Sequence, residues 1–199
     1  MSNSAVLVIN YVNDYVHSNG KVTVSKAEDI HNDLMKFIHD CYEQEQEDLI
    51  VFCSDIRIKN DVYHPESKKF MDRCLIDSWG RMIYKDMDKE CEADRVKFIS
   101  VDKTRYSAFA GTTLDQKLRE RDIKEVVITG LSLDDSILHT CIDAYNLGYK
   151  ITLISDLVKW YDDDNMAFFV LCHIERFLNV KILTAKQYLT GELTTEEDQ

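Results

Sequence analysis

The chain has 199 residues, 45% of them hydrophobic and 30% charged, enough for one domain with a substantial core. Its formal charge of -12 disfavours electrostatic capture of nucleic acid or an anionic membrane surface. No run approaches the ~20 apolar residues of a membrane span, and one proline and six glycines argue against long linkers.

"AVLVIN" (Ala5–Asn10) is an almost wholly apolar run, as in a strand buried on both faces. This run is too short for a signal-peptide core and has no basic leader, so a cytoplasmic protein is expected. Ser25 and Glu28 read as a capping box. Ile30, Leu34, Phe37, Ile38 and Cys41 then recur at helical spacing. "LIVFCS" (Leu49–Ser54) is a second buried strand, followed by an irregular region, Asp55 to Asp94, with turn signals at "HPES" and "DSWG".

"VKFISV" (Val96–Val101) is a third strand. Thr112 and Thr113 are candidate caps of the next helix, and "EVVITG" (Glu125–Gly130) is a fourth strand. A helix follows from Asp134 to Leu147, closed by Gly148. "KITLIS" (Lys150–Ser155), a helix from Asp163 to Leu178 and "VKILT" (Val180–Thr184) complete the pattern, with caps supplied by "YDDDN". Residues from about 191 to 199 form a polar tail. Strands alternating with helices predict one domain with a three-layer, doubly wound, mostly parallel six-stranded sheet. The six scattered cysteines (41, 53, 74, 91, 141 and 172) read as buried or incidental thiols of a reducing compartment.

Ligands of such sheets bind beyond the carboxyl ends of the strands. Asn10, Asp55, Lys103 and Ser136 lie at or just past four of these ends. Around them, "AVLVINYVNDYV", "HPESKKF", "DKTRYSAFAGTTLDQKLRER" and "VVITGLSLDDSILHTC" resemble the isochorismatase-like hydrolases, specifically the nicotinamidase branch, over almost the whole chain.

That resemblance implies an amide hydrolase with an Asp–Lys–Cys triad, a metal held by one Asp and several His, and a cis peptide before the nucleophile. Here the triad positions hold Asn10, Lys103 and Ser136. The metal segment keeps Asp55, while its His positions align with Arg57, Tyr63 and Arg73; His64 is a surviving ligand only if the register slips by one. The cis bond is expected near Leu131-Ser132.

An amide cannot accept the nucleophile's proton, and a serine hydroxyl is a far weaker acid than a thiol. Two guanidinium groups in place of imidazoles repel a metal ion, so no cofactor is expected. The arginines are expected to occupy the metal's space and pair with Asp55, leaving a pocket that prefers an anionic ligand. Against this stands a plain reading in which they are solvated on a loop. Tyr11, Tyr106 and Phe109 are candidates for a ring-binding slot, with Leu131 and Ser132 at the turn.

Asp14, Asp134 and Asp135 are substitute carboxylates in principle, the first two more plausibly structural. His17, His31, His39 and His173 read as surface or packing residues, and His139 as a helix-face residue. The expected function is a catalytically degenerate pseudo-hydrolase that binds a small anionic or aromatic ligand or a partner. The alternative is an active amide or ester hydrolase in which Lys103 acts as base toward Ser136. Family resemblance also implies a homo-oligomer, with pairing to an active paralogue as a further option.

Overall fold

In the computed structural model, residues 4–43, 49–69, 71–85, 87, 94 and 96–191 are described. Six parallel strands form one sheet: β1 Ser4–Ile9, β2 Leu49–Asp55, β3 Phe98–Lys103, β4 Glu125–Leu131, β5 Lys150–Lys159 and β6 Lys181–Leu183. The order across the sheet is β3-β2-β1-β4-β5-β6. The chain winds outward from β1 in one direction through β2 and β3, then in the other through β4, β5 and β6. The switch point therefore lies between the carboxyl ends of β1 and β4, where such sheets open a crevice for ligands.

The helices are α1 Asn13–Val16, α2 His31–Glu43, α3 Leu114–Arg119, α4 Leu138–Asn146, α5 Asp164–Leu178 and α6 Ala185–Thr190. The alternating side chains of β1 divide the interior in two. Val6 and Val8 pack with Leu34, Phe37, Ile38 and Cys41 of α2. Leu7 and Ile9 pack with Leu114 and Leu118 of α3, Cys141 of α4 and Val170 and Ile174 of α5. Both faces of β1 and β2 are buried, which is why both strands read as continuous apolar runs.

Several boundaries differ from the sequence reading. The Ser25–Glu28 capping box does not form: Ala27 precedes the 3-10 turn Glu28–Ile30 without a side-chain cap. Glu28 instead accepts from the Tyr84 hydroxyl and from Lys85. The helix expected from Asp134 begins as a π turn, Leu133–Ile137, before α4. β5 runs four residues beyond Ser155, and α6 was not anticipated. Asp163 does cap α5, accepting from the Met166 N–H at 3.0 Å. Cys41, Cys53, Cys74 and Cys141 are buried and Cys172 is exposed. Cys91 and the tail beyond Gly191 lie outside the described residues.

Gly130 holds the closest approach at the switch point. Its φ is +99°, and a Cβ there would overlap the Ile9 carbonyl of β1. Both the backbone and the neighbouring strand thus require glycine. Gly130→Ala is expected to cost about 2–4 kcal/mol, read as a lower urea midpoint at unchanged slope.

Candidate functional site at the sheet switch point

Four adjacent strands bring their ends together. Asn10 follows β1, Asp55 ends β2, Lys103 ends β3, and Ser136 lies in the π turn after β4. Asn10 has φ 51°, a left-handed conformation that asparagine tolerates better than most residues. Its orientation is fixed by hydrogen bonding. The Asp55 N–H donates to Asn10 Oδ1 at 3.0 Å, so Asn10 Nδ2 must face Ser136, donating to Oγ at 3.1 Å. Lys103 Nζ donates to Asp55 Oδ1, to the Arg105 carbonyl at 3.3 Å and to Ser136 Oγ at 3.4 Å. Asn10 and Ser136 are each 1% exposed and Lys103 0%.

A buried ion network continues from Asp55. The Tyr15 hydroxyl donates to Asp55 Oδ2 at 2.6 Å and accepts from Arg73 Nε at 2.8 Å. Arg73 Nη2 lies 2.9 Å from Glu66 Oε2, which also pairs with Arg57 Nη2. Arg57 Nη2 is 3.6 Å from Asp55. Arg57 Nη1 also reaches His64 Nδ1 at 2.9 Å, while His64 Nε2 lies 2.7 Å from the Thr104 carbonyl. The carbonyl can only accept, so the proton sits on Nε2 and Nδ1 accepts from Arg57.

Burial works to raise the pKa of Asp55, but the Lys103 charge and the hydrogen bonds from Lys103 and Tyr15 outweigh it and hold the pKa low. Burial likewise opposes ionisation of Glu66, and the Tyr106 hydroxyl with Arg57 and Arg73 reverses it.

The turn after β4 carries the cis peptide at Leu131-Ser132, where the resemblance put it. The Ser136 N–H donates to Asp135 Oδ1, and the Thr140 hydroxyl donates to the Ser136 carbonyl at 2.6 Å. Burial raises the pKa of Asp135, partly offset by hydrogen bonds from Ser136 and Ser132. Asp14 is a structural acid, accepting from the backbone N–H groups of Cys74 at 2.7 Å and Lys21 at 3.1 Å.

The three aromatic candidates do not meet. The Tyr11 hydroxyl donates to the Ala27 carbonyl, and its ring packs in the α2-side core with His31 and Tyr84. Phe109 stacks on Tyr149 in the opposite core. Alternation along the chain sends these rings to different layers, and only Tyr106 reaches the ion network. Tyr63 points to solvent at 92% exposure. His139 is exposed on α4, beside the Tyr106 ring at 5.1 Å. Outside the network, Arg57, His64 and Glu66 line a cavity of about 380 Å³ whose walls include Ile58, Met71 and Arg105.

A family model described as the isochorismatase domain matches residues 4–185. The chain belongs to the isochorismatase family. It is 33% identical over 187 residues to the isochorismatase family protein PncA of Bacillus subtilis, covering 89% of this chain and 97% of that protein. The crystal structure of a pyrazinamidase/nicotinamidase from Streptococcus mutans matches with a TM-score of 0.84 at 35% identity, over 90% of this chain and 99% of that one. The crystal structure of nicotinamidase PncA from Bacillus subtilis matches with a TM-score of 0.84 at 31% identity, over 92% and 100%.

Two residues of this isochorismatase-family site escaped the sequence reading: Glu66, the shared partner of both arginines, and Tyr15, the bridge from Arg73 to Asp55. The available signal for Glu66 was indirect. Two arginines directed inward need a carboxylate, and "HPES" offers one close by. Tyr15 carries no comparable signal.

Proposed function

We propose that this chain is a pseudo-hydrolase of the isochorismatase family, which keeps the frame of an amidase site and binds a small ligand without turning it over. The observation that carries this reading is the direction of one hydrogen bond. Asn10 donates to Ser136 Oγ, at the position where the resemblance calls for an acceptor. Lys103 adds a second donor, and its ion pair with Asp55 keeps it an ammonium rather than a base. The acceptor closest to Ser136 is the carboxyl of Asp135, and a carboxylate is a poor base toward an aliphatic hydroxyl.

The donor set also does not fit the metal that the resemblance implies. Both oxygens of Asp55 are engaged by Lys103 and Tyr15. Arg57 and Arg73, permanently charged, stand on Glu66. Three cations face two carboxylates in this network, an excess that favours an anionic ligand. The adjoining cavity is of small-molecule size, with Ile58 and Met71 for a ring and Arg105 for a carboxylate.

A second reading rests on the 3.4 Å approach of Lys103 to Ser136: an ester or amide hydrolase using these two residues. The two readings separate in one set of measurements on the purified chain. The pseudo-hydrolase has no stoichiometric transition metal, releases no ammonia from nicotinamide above background, and gains thermal stability with nicotinate or benzoate. Bound metal, or nicotinamide turnover, contradicts it. Hydrolysis of p-nitrophenyl acetate that disappears in both Ser136→Ala and Lys103→Ala establishes the second reading instead.

A further inference from the structure

The outward flank of α5 is more apolar than a solvated helix allows. Phe169 is 63% exposed, Phe177 61% and Met166 47%. These residues and His173 recur at spacings of three and four, so they share one stripe. The His173 ring lies 5.9 Å from Phe169 and 5.2 Å from Phe177, forming a continuous ladder. The buried side of the same helix, Ala167, Val170 and Ile174, already packs in the core. α5 follows β5 and leads into β6, the edge strand of the sheet.

We propose that this stripe is the contact surface of a homodimer, in which α5 packs antiparallel against α5 of a second copy. The symmetry of the stripe points to a second copy as occupant. Its centre falls between Phe169 and His173, near the middle of Asp164–Leu178. A two-fold axis there sets Phe169 of each copy against His173 of the other, and Met166 against the far end of the ladder.

Charge is complementary in the same arrangement. The helix begins at exposed Asp162, Asp163 and Asp164, and exposed Arg176 lies over the Phe177 ring at its other end. Antiparallel packing carries each acidic start toward the other copy's Arg176. Area also suffices for a modest dimer. A phenylalanine about 60% exposed leaves on the order of 100 Å² uncovered. Four such side chains from each copy bury close to the ~1,000 Å² at which specific interfaces begin.

Cys172 supplies a built-in reporter. It is the exposed thiol among the described cysteines and lies one residue from the proposed axis. Helices packed about 8–10 Å apart bring the two Cys172 side chains within the span of a short bismaleimide.

The test is light scattering and sedimentation of the full chain across a dilution series, with bismaleimide crosslinking beside it. The expected result is a concentration-dependent dimer that crosslinks through Cys172, with no crosslink in Cys172→Ser. Phe169→Ser/Phe177→Ser is expected to weaken association at least ~10²-fold, because each lost ring is lost twice across the axis. A thermal melt of this variant establishes that it is folded. If it does not fold, crosslinking of the wild-type chain decides alone. A monomer at every concentration overturns the proposal and leaves the stripe to a different protein. A dimer that survives in the folded variant, or a crosslink independent of Cys172, overturns it as well.

Discussion

Asn10→Asp/Ser136→Cys is expected to release ammonia from nicotinamide ~10²–10⁴-fold faster than Ser136→Cys alone, the range that a general base supplies. The geometry explains why the pair must change together. Asn10 Oδ1 accepts from the Asp55 N–H, and a carboxylate at this position keeps that bond. Its second oxygen replaces the amide donor that now faces Ser136 Oγ at 3.1 Å. The left-handed φ of 51° suits aspartate as well as asparagine. A thiol at position 136 would sit in the first turn leading into α4, close to the Lys103 ammonium, both of which lower a thiol pKa from its reference of ~8.5. The measurement is single-turnover ammonia release from each folded variant. If the double variant is no faster than Ser136→Cys, the loss of function extends beyond these two side chains, and the arginine network becomes the next site to revert.

Asp55→Asn is expected to destabilise the fold by about 3–5 kcal/mol, the usual result of removing one partner of a buried pair. Lys103 is wholly buried, so its charge would be left facing the Arg105 carbonyl and Ser136 alone. Urea unfolding at neutral pH measures the loss. Its pH dependence carries a second signature. Asp55 and Glu66 both have pKa values lowered in the folded state. Their contribution is therefore present above the unfolded values of ~3.9 and ~4.3 and is lost as pH falls through the lower folded values. Wild-type stability should drop steeply below about pH 4, and Asp55→Asn should show a shallower drop. Equal pH profiles for the two proteins would refute the assignment of Asp55 as the network's centre.

The strands were legible because burial on both faces leaves an unmistakable apolar run, as in "AVLVIN" and "LIVFCS". Their alternation with helices was enough to anticipate the parallel sheet, and so the crevice between β1 and β4. Local capping was less legible. Ser25 and Glu28 have the spacing of a capping box, but Tyr84 and Lys85, more than fifty residues away, take the Glu28 carboxylate. The π turn at Leu133–Ile137 has the composition of an ordinary helix start. At the site, the convergence of Asn10, Asp55, Lys103 and Ser136 followed from their places at strand ends. The choice of Glu66 as partner of Arg57 and Arg73 did not, since it depends on how an irregular loop folds back. Tyr11 and Phe109 illustrate the same limit: their type suggested a ring slot, while the layer each one enters is settled by packing.

The central position of β1 has a consequence for synthesis. All six of its residues are buried, and its two edges pair with β2 and β4. Its partner at Glu125 begins more than a hundred residues later. Until that segment leaves the ribosome, β1 presents an open, wholly apolar edge, the kind of surface that recruits other strands. The nascent chain is thus most exposed to self-association over this interval, and a fragment ending before Glu125 should aggregate, whereas the full chain closes that edge with β4.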